Sequence, residues 1–320
     1  MKKNKRKIYF RADADSQIGY GHFIRTLALA DMLRDDFDCT FFTQSPSEYQ
    51  QIEVEKVCPL VCLSSDDRKF DEFLNHLSGD EIVVLDNYFN KYSYQKKIKQ
   101  KGCKLVSIDD IHLYPFCSDV VICPDPCSPA DFITDKNTKL YCGIEWSLLR
   151  KPFIDNSNSN MSESNEIVVA LGGADPYCLT QIIVDRLLRE TNYRISAIIG
   201  DKTKFQSLDE RVTIHRKLPA EEVASLFSRA GVAILSASTI CIEALCIGCP
   251  VIAGYYVHNQ IEFYNYLSHN SLIVPIGNLL DRGNTFDICS AIKSAKINTH
   301  KVIIDFSHQK ESFRNIFSTL

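Results

Sequence analysis

The chain has 320 residues, too many for one ordinary core, and at roughly 100–200 residues per domain it is expected to form two. Its 45% hydrophobic and 24% charged content is that of a soluble globular protein, and a formal net charge of −4 argues against the concentrated basic face of a nucleic-acid binder. No apolar run approaches the ~20 residues of a membrane span. The Lys-rich N-terminus leads straight into a strand pattern, so the expectation is a cytoplasmic protein without membrane or nucleic-acid partners.

In chain order, Lys7-Ile-Tyr-Phe reads as a buried strand, after which Phe23, Leu27, Ala30 and Leu33 recur at helical spacing. Between them, a loop carrying Asp13, Asp15, Gly19 and Gly21 places His22 in the first turn of the first helix. Gly19 and Gly21 are expected at positive φ, where a ligand can approach the backbone closely. Further strands are expected at Cys39 to Thr43, Glu81 to Asp86, Lys104 to Asp109 and Val120 to Cys123, with a Lys-rich helix near 91–101. A second series runs through Glu166 to Leu171, Arg194 to Ile199, Val212 to His215, Gly231 to Ser236, Pro250 to Gly254 and Leu272 to Pro275. Continuous apolar strands alternating with helices mean parallel sheets covered on both faces, hence an α/β chain of two Rossmann-like domains. The polar stretch Asp155 to Asn165 has nothing to bury, which divides the chain into a first domain over 1–154, a linker over 155–165 and a second domain over 166–320.

Two doubly wound domains imply a ligand where strand C-termini face one another across a cleft, so the informative residues should follow strands. His22 does, and it reads equally as a general base or as a satisfied structural histidine; the positive end of its helix favours a neutral ring able to accept a proton. Asp13 or Asp15 is a candidate to orient it. Ser236-Ala-Ser238-Thr239 opens a helix whose first N–H groups suit a diphosphate, and Glu243, one turn on, could accept from ribose hydroxyls. The plainer alternative is an N-cap and a solvated acid. Gly172-Gly173 is a two-glycine turn after a strand. Tyr88 and Asn259 follow strands in opposite domains, either reaching the cleft or serving as rim packing and a helix cap. Asp109-Asp110 offers paired carboxylates for which capping is the simpler reading, and Asp125 between two prolines reads as a turn residue. Thirteen scattered cysteines suggest reduced core thiols, and Cys241, Cys246 and Cys249 fall one short of the four ligands of a structural zinc site.

These post-strand motifs, in this order, resemble one family. Arg11-x-Asp13, Ser16-Gln-Ile-Gly-Tyr-Gly-His22-x-x-Arg25, Asp86-x-Tyr88, Asp109-Asp110, Gly143 to Phe153, Gly172-Gly173, Ser236-x-Ser238, Glu243-Ala244 and Asn259-Gln260 look like the nucleotide-sugar hydrolases of bacterial pseudaminic acid biosynthesis. The likeness runs from residue 7 to about 275, and its Gly-Gly and Ser-x-Ser elements are shared with glycosyltransferases of the two-domain GT-B fold. It implies hydrolysis of UDP-2,4-diacetamido-2,4,6-trideoxy-β-L-altropyranose to UDP and free sugar without a metal; no cofactor is expected, and the chain is expected to act as a monomer. The family's catalytic histidine matches His22, its tyrosine and asparagine at the reacting sugar match Tyr88 and Asn259, and its nucleotide-binding helix start and acid match Ser238, Thr239 and Glu243. Asp13, Gly19, Gly21, Arg25, Gly172, Gly173, Ser236 and Gln260 complete the implied substrate-binding set. The chain departs from the pattern at Cys123-Pro-Asp-Pro-Cys127, where an asparagine-containing loop is expected. UDP is a good leaving group, so the chemistry needs an activated water and a stabilised diphosphate more than a general acid, with inversion at the anomeric carbon. The runner-up is a GT-B glycosyltransferase using a UDP-sugar donor, and a third class is a non-catalytic nucleotide-sugar binder.

Overall fold

The structure is a computed structural model that describes residues 5–14, 20–157, 164–173, 175–200, 203–281, 286–298 and 305–320. The chain divides into two compact units, one made of Met1–Leu148 with Ser307–Leu320, the other of Leu149–Phe306.

The first unit runs β1 (Lys7–Ala12), α1 (Gly21–Leu33), β2 (Asp38–Gln44), α2 (Glu48–Glu55), β3 (Leu60–Leu63), α3 (Arg68–Asn75), β4 (Ile82–Asp86), α4 (Tyr92–Gln100), β5 (Lys104–Ile108), β6 (Val120–Cys123) and β7 (Lys139–Cys142). Its strands form one seven-stranded parallel sheet in the order β3-β2-β1-β4-β5-β6-β7. The central strands are apolar throughout because helices cover both faces: Ile82, Val83 and Val84 of β4 are completely buried. The chain steps from β1 outward to β3, then returns to β4 on the other side of β1. The crevice at the C-terminal ends of β1 and β4 is therefore the topological switch point, where open α/β sheets bind ligands.

The second unit contains α5 (Lys151–Asp155), β8 (Glu166–Ala170), α6 (Leu179–Glu190), β9 (Arg194–Ile198), β10 (Val212–His215), α7 (Ala220–Arg229), β11 (Val232–Ser236), α8 (Thr239–Ile247), β12 (Val251–Tyr255), α9 (Ile261–His269), β13 (Val274–Asn278) and α10 (Ile288–Asn298). Its six-stranded parallel sheet has the order β10-β9-β8-β11-β12-β13, which puts its switch point between β8 and β11. The last strand begins two residues later than expected, after Ser271 turns the chain at φ 56°.

The division differs from the expected 1–154 and 166–320 at both ends. α5, expected in the first domain, packs on α7 and α8, with Phe153 buried 6.2 Å from Phe227. α11 (Gln309–Ser318), expected in the second, returns to the first unit and packs on α1, where Phe317 meets Phe37 and Phe313 meets Trp146. Of the expected linker, residues 158–163 lie outside the described residues. Among the described residues no helix is long and apolar enough to cross a membrane.

Candidate active site

The switch point of the first unit is built around a carboxylate. Asp86 ends the apolar strand β4 with no exposed surface, so its charge must be met by partners inside the fold. α1 supplies them from one face: His22, Arg25 and Thr26 stand at i, i+3 and i+4. Asp86 takes the Nδ1 of His22 at 2.7 Å, the Nε and Nη2 of Arg25 at 2.6 and 2.7 Å, and the hydroxyl of Thr26 at 2.9 Å. Burial alone would raise this carboxyl, but the Arg25 guanidinium and His22 outweigh it and hold Asp86 well below the usual carboxylate range. A permanent acceptor at Nδ1 assigns the ring proton there, which leaves the Nε2 lone pair of neutral His22 to accept a proton. The ring is 6% exposed, and Tyr88, two residues beyond Asp86, packs edge-on to it with centroids 4.6 Å apart.

Arg25 is held in turn by Asp110, whose Oδ2 accepts from Nη1 at 2.6 Å. Burial disfavours its charge, but Asp110 and Asp86 overcome this and keep the guanidinium fully charged. Arg25 thus orients Asp86; its expected place among substrate contacts gives way to that of a positioning residue, because Nε, Nη1 and Nη2 all face carboxylates. Asp109 diverges from its neighbour and accepts the N–H groups of Ile111 and His112 at 3.2 and 2.6 Å. Asp125, expected as a turn residue, is pushed well up by burial and by the charge of Asp110, against the opposing pull of Arg25.

Asp13 does not meet His22. Its carboxylate is wholly buried, paired with Arg11 and with Lys69 Nζ at 3.1 Å, and accepts the N–H of Gln44 at 2.8 Å. Burial raises its carboxyl, but the Arg11 hydrogen bond and charge, with Gln44 and Lys69, bring it below the ordinary value. Asp13 therefore ties the ends of β1 and β2 together instead of reaching a substrate. Asn87 completes the brace by accepting the Asp13 N–H at 2.7 Å. Gly21 opens α1 without the expected positive φ, and among the described residues a Cβ there would meet nothing within 4 Å. Gly19 and Asp15 lie outside the described residues. A separate cavity of about 300 Å³, lined by Lys5, Arg34, Asp38 and Cys58 among others, sits near the N-terminal end of β2, away from His22.

In the second unit the switch point gathers the residues expected to hold a diphosphate. Gly172 and Gly173 follow β8 and are exposed, with Gly172 at φ 101°, a conformation that favours glycine. Ser236 ends the adjacent β11, and Ser238 and Thr239 open α8. Ser238 does not cap its own helix; its hydroxyl turns to the Ser236 carbonyl at 3.4 Å. Glu243 departs from expectation. It is 3% exposed, and its two oxygens take the Nε and Nη2 of Arg150 at 2.8 and 2.7 Å, so it anchors the α5 entry to α8. Beyond β12, Asn259 is exposed in a short 3₁₀ turn, and Gln260 accepts the Tyr256 N–H at 3.0 Å to close that turn. Cys241, Cys246 and Cys249 are buried apart, donating to the carbonyls of Ser236, Phe153 and Pro250 at 3.3, 3.4 and 3.7 Å, as core thiols do.

The partnership of His22 with Asp86 was not evident in the sequence. A charged residue closing an otherwise apolar strand was the available signal, since such an acid must find a cation or a donor.

Two parallel-sheet units, each with its candidate residues at a switch point, make this a two-Rossmann, GT-B-like fold. Comparison of the chain with known proteins agrees. It is 27% identical over 273 residues, 82% of its length and 96% of the other's, to the UDP-2,4-diacetamido-2,4,6-trideoxy-β-L-altropyranose hydrolase of Campylobacter jejuni. In fold it is similar to MurG of Acinetobacter baumannii, with a TM-score of 0.59 and 11% identity over 98% of this chain and 100% of that one. It is likewise similar to Anabaena HepE in complex with UDP-glucose, with a TM-score of 0.58 and 12% identity over 98% and 100%. No family model matches the chain.

Proposed function

We propose that the protein is a nucleotide-sugar hydrolase that releases UDP from UDP-2,4-diacetamido-2,4,6-trideoxy-β-L-altropyranose, with inversion at the anomeric carbon. The observation that carries this reading is the pinned ring of His22: with Nδ1 donating to Asp86 at 2.7 Å, Nε2 is the only ring atom left to act as a base. The sequence likeness to a hydrolase of that substrate supports the choice of reaction.

In the proposed step Nε2 takes a proton from water as the water oxygen forms a bond to the anomeric carbon. The bond from that carbon to the diphosphate oxygen breaks, and its electron pair leaves with UDP. The imidazolium so formed faces the Asp86 carboxylate, which stabilises it without itself taking the proton. Arg25 and Thr26 keep that carboxylate from turning. Tyr88 walls the ring on one side and, with Asn259, is assigned to the sugar. The Gly172-Gly173 turn and the first N–H groups of α8, at Ser238 and Thr239, are assigned to the diphosphate, where developing charge is greatest. The residues named need no metal for this chemistry.

The test is incubation with the UDP-sugar in ¹⁸O-water, with magnesium and acceptor omitted. Equimolar UDP and free sugar are expected, with the label in the sugar. Label in UDP would move the cleavage to the P–O bond, and no turnover until an acceptor is supplied would favour a glycosyltransferase, the reading that the shared fold keeps open.

A further inference from the structure

Away from His22, three thiols and an imidazole of the first unit converge at the C-terminal ends of β6 and β7. Cys123 ends β6, Cys142 ends β7, and the two are direct partners in the parallel register, so their side chains leave the sheet on the same face. Cys127 returns to them after the Pro-Asp-Pro turn. All three pack in one small cluster with Phe116, Val121 and Phe132. A ring nitrogen of His112 and the Sγ atoms of Cys123 and Cys127 lie within 4.8 Å of one another. His112 is placed there by its loop: it adopts φ 43°, its N–H is held by Asp109 at 2.6 Å, and its ring packs on Phe132 with centroids 4.9 Å apart.

We propose that Cys123, Cys127, Cys142 and His112 form a structural binding site for one zinc ion. Three thiolates and one imidazole are a complete tetrahedral set, and Cys-x-x-x-Cys falls within the ligand spacing of such sites. Zn–S bonds of about 2.3 Å and a Zn–N bond of about 2.0 Å would set the ligand atoms roughly 3.5–3.8 Å apart, which for His112, Cys123 and Cys127 is a contraction of at most about 1 Å from their spread within 4.8 Å. Thiolate ligands select zinc over magnesium or calcium. Binding exchanges the thiol protons for the metal: Zn²⁺ with three thiols and a neutral imidazole gives the four-coordinate complex and three released protons.

The site would join the loop after β5 to the loop after β6. The first of these carries Asp110, which holds Arg25, so the ion would act as a positioning element for the His22 network without contacting substrate. The inference stands on these four side chains and does not depend on the hydrolase reading.

The test is metal analysis of the full chain isolated under reducing conditions, followed by Co²⁺ titration of the stripped protein. One equivalent of zinc is expected, and cobalt should give thiolate charge-transfer and tetrahedral d–d bands that saturate at one equivalent. Cys127→Ser and Cys142→Ser should each weaken cobalt binding by at least about tenfold, while Cys62→Ser, at an exposed thiol on β3, should not change it. Wild-type protein that shows no thiolate–cobalt bands at saturating metal would overturn the proposal even if the variants fail to fold. So would bands that survive in the Cys123→Ser/Cys127→Ser double variant, or a disulfide joining any two of the three cysteines in the isolated protein.

Discussion

Asp86→Asn separates the two things that Asp86 does. The amide keeps the shape of the carboxylate but has one acceptor oxygen and one donor. With the oxygen toward Arg25, the NH₂ faces His22 Nδ1 and demands a lone pair there, which moves the ring proton to Nε2 and removes the base. The expected loss in kcat is about 10²–10⁴-fold, the range spanned by general-base catalysis. The stability cost follows from Arg25, which keeps Asp110 at 2.6 Å but loses the charge that faced its Nε and Nη2 at 2.6 and 2.7 Å. Breaking one side of a buried pair costs about 3–5 kcal/mol, and the retained amide oxygen places this case near the lower bound, about 3 kcal/mol. For a unit of this size that lowers Tm by roughly 6–12 °C. The assays are UDP release, thermal unfolding, and ¹⁵N NMR of the His22 tautomer. Adding Arg25→Gln removes the uncompensated charge and should restore part of the stability but none of the rate. An Asp86→Asn protein that turns over within a few-fold of wild type and keeps its Nδ1–H tautomer would refute the base assignment.

Other substitutions probe different parts of the structure. His22→Asn should lower kcat by about 10²–10⁴-fold while leaving UDP affinity in calorimetry nearly intact; parallel losses in both would mean that His22 binds nucleotide. Gly172→Ala forces a Cβ into φ 101° and to 3.1 Å from the Tyr256 hydroxyl, which should cost about 1–3 kcal/mol and weaken UDP binding; unchanged Tm and Kd would remove Gly172 from the nucleotide site. Glu81 carries an acid-stability prediction. Burial would raise its carboxyl, but the Ser78 hydroxyl and the N–H groups of Gly79 and Ser78 bring it down to about 2 from an ordinary 4.5. A depressed folded value means that the stabilisation is complete above 4.5 and fades as pH falls toward 2. Glu81→Gln should therefore cost about 1–3 kcal/mol at neutral pH and flatten the decline of Tm between these limits; parallel acid limbs for the two proteins would contradict this.

The strands declared themselves because a parallel sheet covered on both faces needs unbroken apolar runs, as in Ile82-Val-Val-Leu and Val232-Ala-Ile-Leu. Residues that follow such runs were equally legible, so the positions of His22, Tyr88, Gly172 and Ser236 at or after the ends of strands could be read. Which polar groups pair inside the fold was not legible, because pairing depends on strand order. Asp86 is 64 residues from His22 and Glu243 is 93 from Arg150, and no local spacing announces either contact. Asp13, two residues beyond its strand, looked like a site residue until Arg11 and Lys69 closed on it. β7 was not anticipated, and without its register beside β6 there was no reason to bring Cys142 to Cys123.

The return of α11 to the first unit has a consequence for synthesis. Residues 149–306, a complete unit, are inserted between the first sheet and the helix that covers Phe37 and Trp146. At ribosomal rates of roughly 5–20 residues per second, the nascent first unit waits on the order of ten seconds with that apolar face uncovered, while the inserted unit emerges whole and is free to fold. Misfolding during translation should therefore begin at the edge of α1, and a fragment ending at residue 306 should be captured by chaperones through that same face.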